Sequence, residues 1–333
     1  DKLKFRGSIG LVGNDKINGR RFAYITTTDQ KAPGYGWGNN GEYRYNDGIR
    51  EGEYGVPNLT WEKVLKSNIG FELGLFNCFE IQLDLFKEKR SDIFIKRKIF
   101  PTQIGFVNAP WANYGKVDNK GVDMSVLFNK QLKNDLFVSL RGNFTYAKNT
   151  IIEYDEPESV KGTYRSITGH SIGTLWGYEA IGLYTEDDFI DGQLIDELPK
   201  PAFGGDVRPG DIKYVDRNGD GVINSLDEGY VGGTSTPRIV YGFGGNLGWK
   251  QFDLGVFLQG SADYYRMIGG SNDFIPGSGQ GTMGNIYTNY KDAWTEENPS
   301  QNVFWPRLSY ATNNNNVASS TWWKKDMSFL RLK

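Results

Sequence analysis

Apolar and polar residues alternate with a period of two along several well-separated stretches of the chain. The first runs from Leu3 to Leu11, with Leu3, Phe5, Ile9 and Leu11 on one face and Lys4, Arg6 and Ser8 on the other. Asn68–Phe76 and Phe79–Lys87 follow, separated only by Asn77–Cys78. There Glu72, Glu80, Gln82 and Asp84 fall opposite Ile69, Phe71, Leu73, Ile81, Leu83 and Leu85. Gly121–Phe128 and Leu136–Tyr146 repeat the design around a polar turn at 129–135. A third pair sets Ile239, Tyr241, Phe243, Leu247 and Trp249 before a turn at Lys250–Gln251, and Phe252, Leu254, Val256 and Leu258 after it. A period of two places alternate side chains on opposite faces of a strand, so each stretch predicts a strand with one apolar face.

The connections alternate in length. Short turns close the hairpins, whereas polar segments of roughly 13–58, 88–116, 149–169, 186–236 and 262–303 separate them. Transmembrane barrels have such short turns on one side and long loops on the other, and their tilted strands need about 9–11 residues to cross a bilayer. A soluble sandwich uses shorter strands and more even loops. The expected fold is therefore all-β, a transmembrane antiparallel barrel with about ten spanning strands in this chain. Phe76, Phe79, Trp249 and Phe252 flank short turns, and Tyr264, Tyr265, Trp305, Trp322 and Trp323 are expected near other strand ends, as in an interfacial aromatic girdle.

Composition sharpens this picture. The chain has 333 residues and 43 glycines, about 13% against a usual share of about 7%, and aromatics make up 14%. Both favour many strands and turns. The formal charge of −2 gives no basic excess for nucleic acid. Mean hydropathy is −0.52, and no apolar run reaches the length of a membrane helix. Alternation hides a barrel from such averages. The single cysteine, Cys78, rules out an intrachain disulfide framework. The chain starts in a strand and stops in another at Ser328–Lys333, so the barrel and any leader are expected to continue outside it.

Four motifs carry candidate chemistry. Asp216-Arg-Asn-Gly-Asp-Gly-Val-Ile-Asn-Ser-Leu-Asp227 fits the calcium-loop spacing. Asp216, Asn218 and Asp220 take positions 1, 3 and 5, Val222 offers a carbonyl at 7, Asn224 stands at 9 and Asp227 at 12. Hard oxygen donors at that spacing suit a structural Ca²⁺, although aspartate at position 12 is shorter than the usual glutamate. Gly169-His-Ser-Ile-Gly173 has the form of a hydrolase elbow, but His170 is the only histidine and lies inside the motif, leaving no base for a triad. Gly279-Gln-Gly-Thr-Met-Gly284 lacks the strand and helix that a dinucleotide loop needs. Glu72, Glu80, Asp84, Asp123 and Asp253 suggest an acid pair, yet every strand supplies one, as the solvated wall of a lumen would. No catalysis is expected. Tyr35, Trp37, Trp111, Tyr114 and Trp176 are candidates for stacking on sugar rings or for loop packing.

Several segments together resemble the C-terminal part of the SusC/RagA family of TonB-dependent outer-membrane transporters of Bacteroidetes. They include Gly55-Val-Pro-Asn-Leu-Thr-Trp-Glu62, Gly177-Tyr-Glu-Ala-Ile-Gly-Leu-Tyr184, Pro209-Gly-Asp-Ile-Lys-Tyr214, Asp216-Arg-Asn-Gly-Asp-Gly221 and Phe252-Asp-Leu-Gly-Val-Phe-Leu-Gln-Gly260. The resemblance implies about half of a plugged barrel of about 22 strands. It also implies a SusD-like surface lipoprotein as lid, TonB with ExbB and ExbD as the energy source, outer-membrane lipid around the barrel, and oligosaccharides or peptides as cargo. The location implied is the outer membrane of a Gram-negative bacterium, with 186–236 as a long extracellular loop carrying the calcium-type motif. The competing expectation is a secreted, calcium-stabilised β-rich adhesin or carbohydrate-binding module, whose apolar faces would pack against each other.

Overall fold

The computed structural model describes residues 1–16, 21–39, 44–268, 288–309 and 313–333. Eight strands form one sheet: β1 (Lys2–Asn14), β2 (Glu62–Leu75), β3 (Phe79–Lys96), β4 (Trp111–Gln131), β5 (Leu136–Glu153), β6 (Ile239–Trp249), β7 (Phe252–Ala262) and β8 (Phe329–Leu332). They follow one another in that order across the sheet. All register pairs described between them are antiparallel. Among the described residues the expected count of about ten falls to eight, because the other strands, including the hairpin of Thr28–Trp37 and Arg44–Glu51, pair outside this sheet.

Hairpin geometry explains the connections. Between β2 and β3 the turn centres on Phe76 and Asn77, at φ of 55° and 51°, and Cys78 N–H donates to the Leu75 carbonyl at 3.2 Å. Two successive positive φ values match the twist of the flanking strands. The sequence placed this turn one residue later, at Asn77–Cys78. Asn129 N–H donates to the Cys78 carbonyl, and Lys250 N–H to that of Asp135, so the three short turns gather at one end of the sheet.

The strands outrun their apolar alternation. Lys66 pairs with Glu88 at 2.9 Å, Arg90 with Glu62 at 3.1 Å and Lys63 with Asp92 at 3.0 Å. Lys116 pairs with Glu153 at 2.6 Å. These cross-strand ion pairs carry the ladder beyond the apolar band. Within the band, Gly121 faces Phe86 on the polar side, and a Cβ there would lie 2.1 Å from the Tyr146 carbonyl oxygen and 2.4 Å from the Phe86 ring. Glycine lets the ring cover the backbone. We expect Gly121→Val to cost about 1–3 kcal/mol of sheet stability, measured as a lower urea midpoint.

The chain divides into two compact units. The first comprises Asp1–Gly162, Ile167–Ile172 and Tyr241–Phe257, and holds most of the sheet. Its buried apolar cluster is small, built on Ala23, Val56 and Phe94. The apolar face of the strands is bare instead: Phe5 is 72% exposed, Ile69 67% and Leu254 62%. A sandwich would have covered these side chains.

The second unit comprises Thr163–Ser166, Gly173–Val240 and Leu258–Lys333, and has a core of its own. Tyr178, Leu183, Ile212, Tyr214, Ile223, Trp294, Trp305 and Trp323 pack together there. The segment 186–236, expected as a loop, therefore contributes short strands and core residues. Trp305 and Trp323 are 2% and 0% exposed, so they belong to this core and not to a girdle. Phe76 and Phe252, beside the short turns, are exposed as expected. No helix among the described residues is long and apolar enough to cross a membrane.

Candidate functional site

The polar face of the sheet comes from the same alternation that builds its apolar face. Arg6 on β1, Glu72 on β2, and Gln82 and Asp84 on β3 converge because register sets Gly70 opposite both Arg6 and Asp84. The Arg6 guanidinium spans that gap, 2.5 Å from Asp84 and 3.4 Å from Glu72. Gln82 donates its amide to Asp84 at 3.1 Å, and Lys2 and Lys4 also reach Glu72. Asp84 stands directly opposite Asp123 on β4, a repulsive pairing that Arg6 offsets on one side. Toward the short turns this face opens into a trough of about 950 Å³ lined by Glu72, Glu80, Gln82, Ser125, Arg141 and Asn143. Carboxylates, amides and guanidinium groups spread over several strands can hydrate and pass a polar solute. They do not form the isolated carboxyl pair of a glycosidase.

The oxygen-rich loop lies in the second unit. Asp216 accepts the N–H groups of Gly219 and Gly221, both at 2.7 Å. Gly219 and Gly221 have φ of 75° and 81°, a region glycine enters without strain. Asn218 accepts from Asp220 N–H and donates its amide to the Asp220 carboxylate at 2.8 Å. Asp220 also accepts Val222 N–H, and Asn224 accepts Leu226 N–H.

Asp227 does something the motif did not reveal. It is fully buried and accepts three backbone N–H groups, from Arg217 at 2.9 Å, Asn218 at 3.4 Å and Asn224 at 2.9 Å. Position 12 thus ties positions 2, 3 and 9 together. Its carboxyl group also faces Asp216 at hydrogen-bonding range. Burial pushes the Asp216 carboxyl up, but the N–H groups of Gly221 and Gly219 outweigh it, so its pKa falls below the ordinary aspartate value. A depressed folded pKa stabilises the loop above the unfolded value of about 3.9, and that contribution is lost as pH falls through the folded value.

No three His, Cys, Asp or Glu side chains among the described residues form a ready metal cage. The chemistry of the loop nonetheless fits a hard cation. Asp216, Asn218 and Asp220 each keep oxygen lone pairs beyond the N–H bonds they accept.

The remaining candidates separate cleanly. The Ser171 hydroxyl donates to the Asn149 carbonyl at 2.7 Å, a structural bond in place of a nucleophile. Gly279–Gly284 lies outside the described residues. Trp111 stacks on Phe94 and donates to Glu53, while Tyr114 lies beneath Arg97. Trp176 donates to Glu228 and meets Tyr230 edge-on. Tyr35 and Trp37 stack with ring centroids 6.2 Å apart and remain exposed on the hairpin of Thr28–Trp37 and Arg44–Glu51. Sequence reasoning missed Asp211, the hub of the second unit, although it sits in the Pro209–Tyr214 segment.

An antiparallel sheet with a bare apolar face and an ion-paired polar face has the build of a membrane barrel wall. Comparison with known proteins agrees. Over its whole length the chain is 28% identical to TonB-dependent receptor P26 of Formosa agariphila, covering 32% of that protein. It is 26% identical to receptor P3 of the same organism over 90% of the chain and 29% of the relative. It is also 26% identical to TonB-dependent receptor SusC of Bacteroides thetaiotaomicron, over 79% of the chain and 25% of SusC. The whole chain superposes on 33% of a chain of the RagAB peptide transporter with a TM-score of 0.68 at 21% identity, which establishes the shared fold. No family model matches. The chain spans between a quarter and a third of the length of these relatives.

The fold is therefore that of a section of a TonB-dependent receptor barrel. Within that class the chain is similar to SusC and shares its fold with a chain of the RagAB transporter, in line with the SusC/RagA resemblance of its motifs.

Proposed function

We propose that this chain forms part of the conduit of an outer-membrane importer for oligosaccharides or peptides. The observation that carries this reading is the sheet itself, apolar and bare on one face, charged and ion-paired on the other. The apolar face meets lipid, and the polar face lines the passage. The short turns lie on the periplasmic side, and the long segments face outward, where a SusD-like lipoprotein docks. TonB with ExbB and ExbD supplies the energy. No bond chemistry is assigned to any residue. Cell fractionation, electrophoresis with and without boiling, and uptake of labelled maltooligosaccharides and oligopeptides with and without a protonophore test the reading. A protein that is soluble, or whose deletion leaves both uptakes unchanged, sinks it.

The loop from Asp216 to Asp227 holds a structural Ca²⁺ in this reading. Asp216, Asn218 and Asp220, the Val222 carbonyl and Asn224 supply oxygen, and Asp227 closes the loop. A cation at 100 times its Kd stabilises the folded loop by about 2.7 kcal/mol. We expect EGTA to speed proteolysis between residues 186 and 236, added Ca²⁺ to reverse it, and Asp216→Ala with Asp220→Ala to abolish the response. Equal cleavage rates with and without chelator would leave the loop a metal-free turn.

A further inference from the structure

On the apolar face, one row of the sheet is unlike the rest. Register sets Lys87 of β3 directly opposite Lys120 of β4, and Lys120 directly opposite Lys148 of β5. All three are exposed. The same row holds Ile9 on β1 and Ser67 on β2, so on that side the charge stops at β3. Like charges facing each other across strands are destabilising, and three in line span two inter-strand gaps, about 10 Å.

Several lysines elsewhere on the sheet are paired. Lys2, Lys4, Lys63, Lys66 and Lys116 all reach carboxylates. Among the described residues, the side chains of Lys87, Lys120 and Lys148 make no hydrogen bond or ion pair. The nearest carboxylate on this face, Asp118, belongs to the next row, opposite Lys89 and Thr150.

The row also marks a depth. Below it, toward the short turns, come Leu85, Val122 and Tyr146, then Leu83, Met124 and Phe144, and so on to Phe79, Phe128 and Leu140. Phe79 to Lys87 is eight steps of about 3.3 Å, so a strand tilted about 40° rises about 20 Å, close to the apolar height of about 25 Å in outer-membrane barrels. The three ammonium groups therefore stand where acyl chains give way to headgroups, on the side of the long segments.

We propose that Lys87, Lys120 and Lys148 bind the phosphate of a phosphorylated glycolipid headgroup in the leaflet that surrounds the long-segment end of the barrel. The proposal rests on the membrane-barrel reading above. Each basic residue near an anionic headgroup contributes about 1 kcal/mol. Together the three correspond to roughly 100-fold in affinity.

The protein, purified in detergent from outer membranes, is incubated with monophosphoryl lipid A, with the same lipid after phosphatase treatment, or with inorganic phosphate. Bound adducts are counted by native mass spectrometry. Phosphorylated lipid A is expected to bind at least tenfold more tightly than its dephosphorylated form. Replacing Lys87, Lys120 and Lys148 by Gln removes that preference, and replacing all three by Arg preserves it. Lys130→Gln, Lys133→Gln and Lys250→Gln together remove equal charge at the short-turn end and leave it intact. A boiling-dependent gel shift confirms that each variant is folded. Equal binding of both lipid forms, an undiminished preference in the Gln variant, or full occupancy by inorganic phosphate alone overturns the proposal. Absence of the protein from the outer-membrane fraction overturns the barrel reading as well.

Discussion

Asp211→Ala is expected to loosen the second unit by about 3–5 kcal/mol, the usual cost of removing one partner of a buried ion pair. Asp211 is 1% exposed. Arg307 grips it with two parallel bonds, Nε to Oδ1 and Nη2 to Oδ2, each 3.0 Å. Asn313 and Asn316 donate their amides to Oδ1, and Arg208 N–H donates to Oδ2. Alanine would leave a guanidinium, two side-chain amides and a backbone N–H without their acceptor. The damage would spread along Asn316, which accepts Ile212 N–H through its side chain and Trp323 Nε1–H through its carbonyl. Hydrogen exchange checks this directly. Amides at 212–214 and 316–323 should lose protection while those of residues 62–75 keep theirs. Changing Arg307→Met in the same chain should recover part of the loss, because the stranded charge is then gone. Unchanged protection at 212–214 would show that the apolar core alone holds this unit.

That hub explains which parts of the fold sequence could reveal. The strands were legible because a half-apolar sheet writes its period into every second residue, as in Phe71, Leu73, Ile81 and Leu83. Their true ends were not legible. Beyond the apolar band the ladder continues on pairs such as Lys66–Glu88, and a hydrophobic pattern does not register charge complementarity between strands. The second core was hidden for a different reason. Tyr178, Ile212, Trp305 and Trp323 meet from positions far apart in the chain, with no shared period. Asp211 and Asn316 are 105 residues apart.

The oxygen-rich loop falls between these cases. Its spacing was visible because Asp216, Asn218 and Asp220 are local, and Gly219 and Gly221 supply the positive φ the turn requires. The part played by Asp227 was not visible. Its oxygens serve three backbone N–H groups, and only the folded path of residues 217–224 brings those donors to it. A motif fixes which side chains carry oxygen, whereas the backbone decides which of those oxygens remain available.

Leu83→Arg is the decisive test of which solvent bathes the apolar face. Leu83 lies in the middle row of the band, opposite Phe71 on one side and Met124 on the other. At the midplane of an outer-membrane barrel, arginine on the lipid face costs about 2–4 kcal/mol. We expect the variant to lose most of its boiling-sensitive folded band and to unfold at lower urea. Gln82→Arg, one residue away, points to the polar face beside Glu72 and Asp84. A surface change of that kind shifts stability by no more than about 0.5 kcal/mol. The contrast between neighbours matters more than either value, since both add the same charge to the same strand. If water bathed the face that bears Ile69, Leu83 and Leu254, Leu83→Arg would shrink an exposed apolar patch and raise solubility. Opposite signs are therefore expected in lipid and in water, and a single pair of variants distinguishes the two environments.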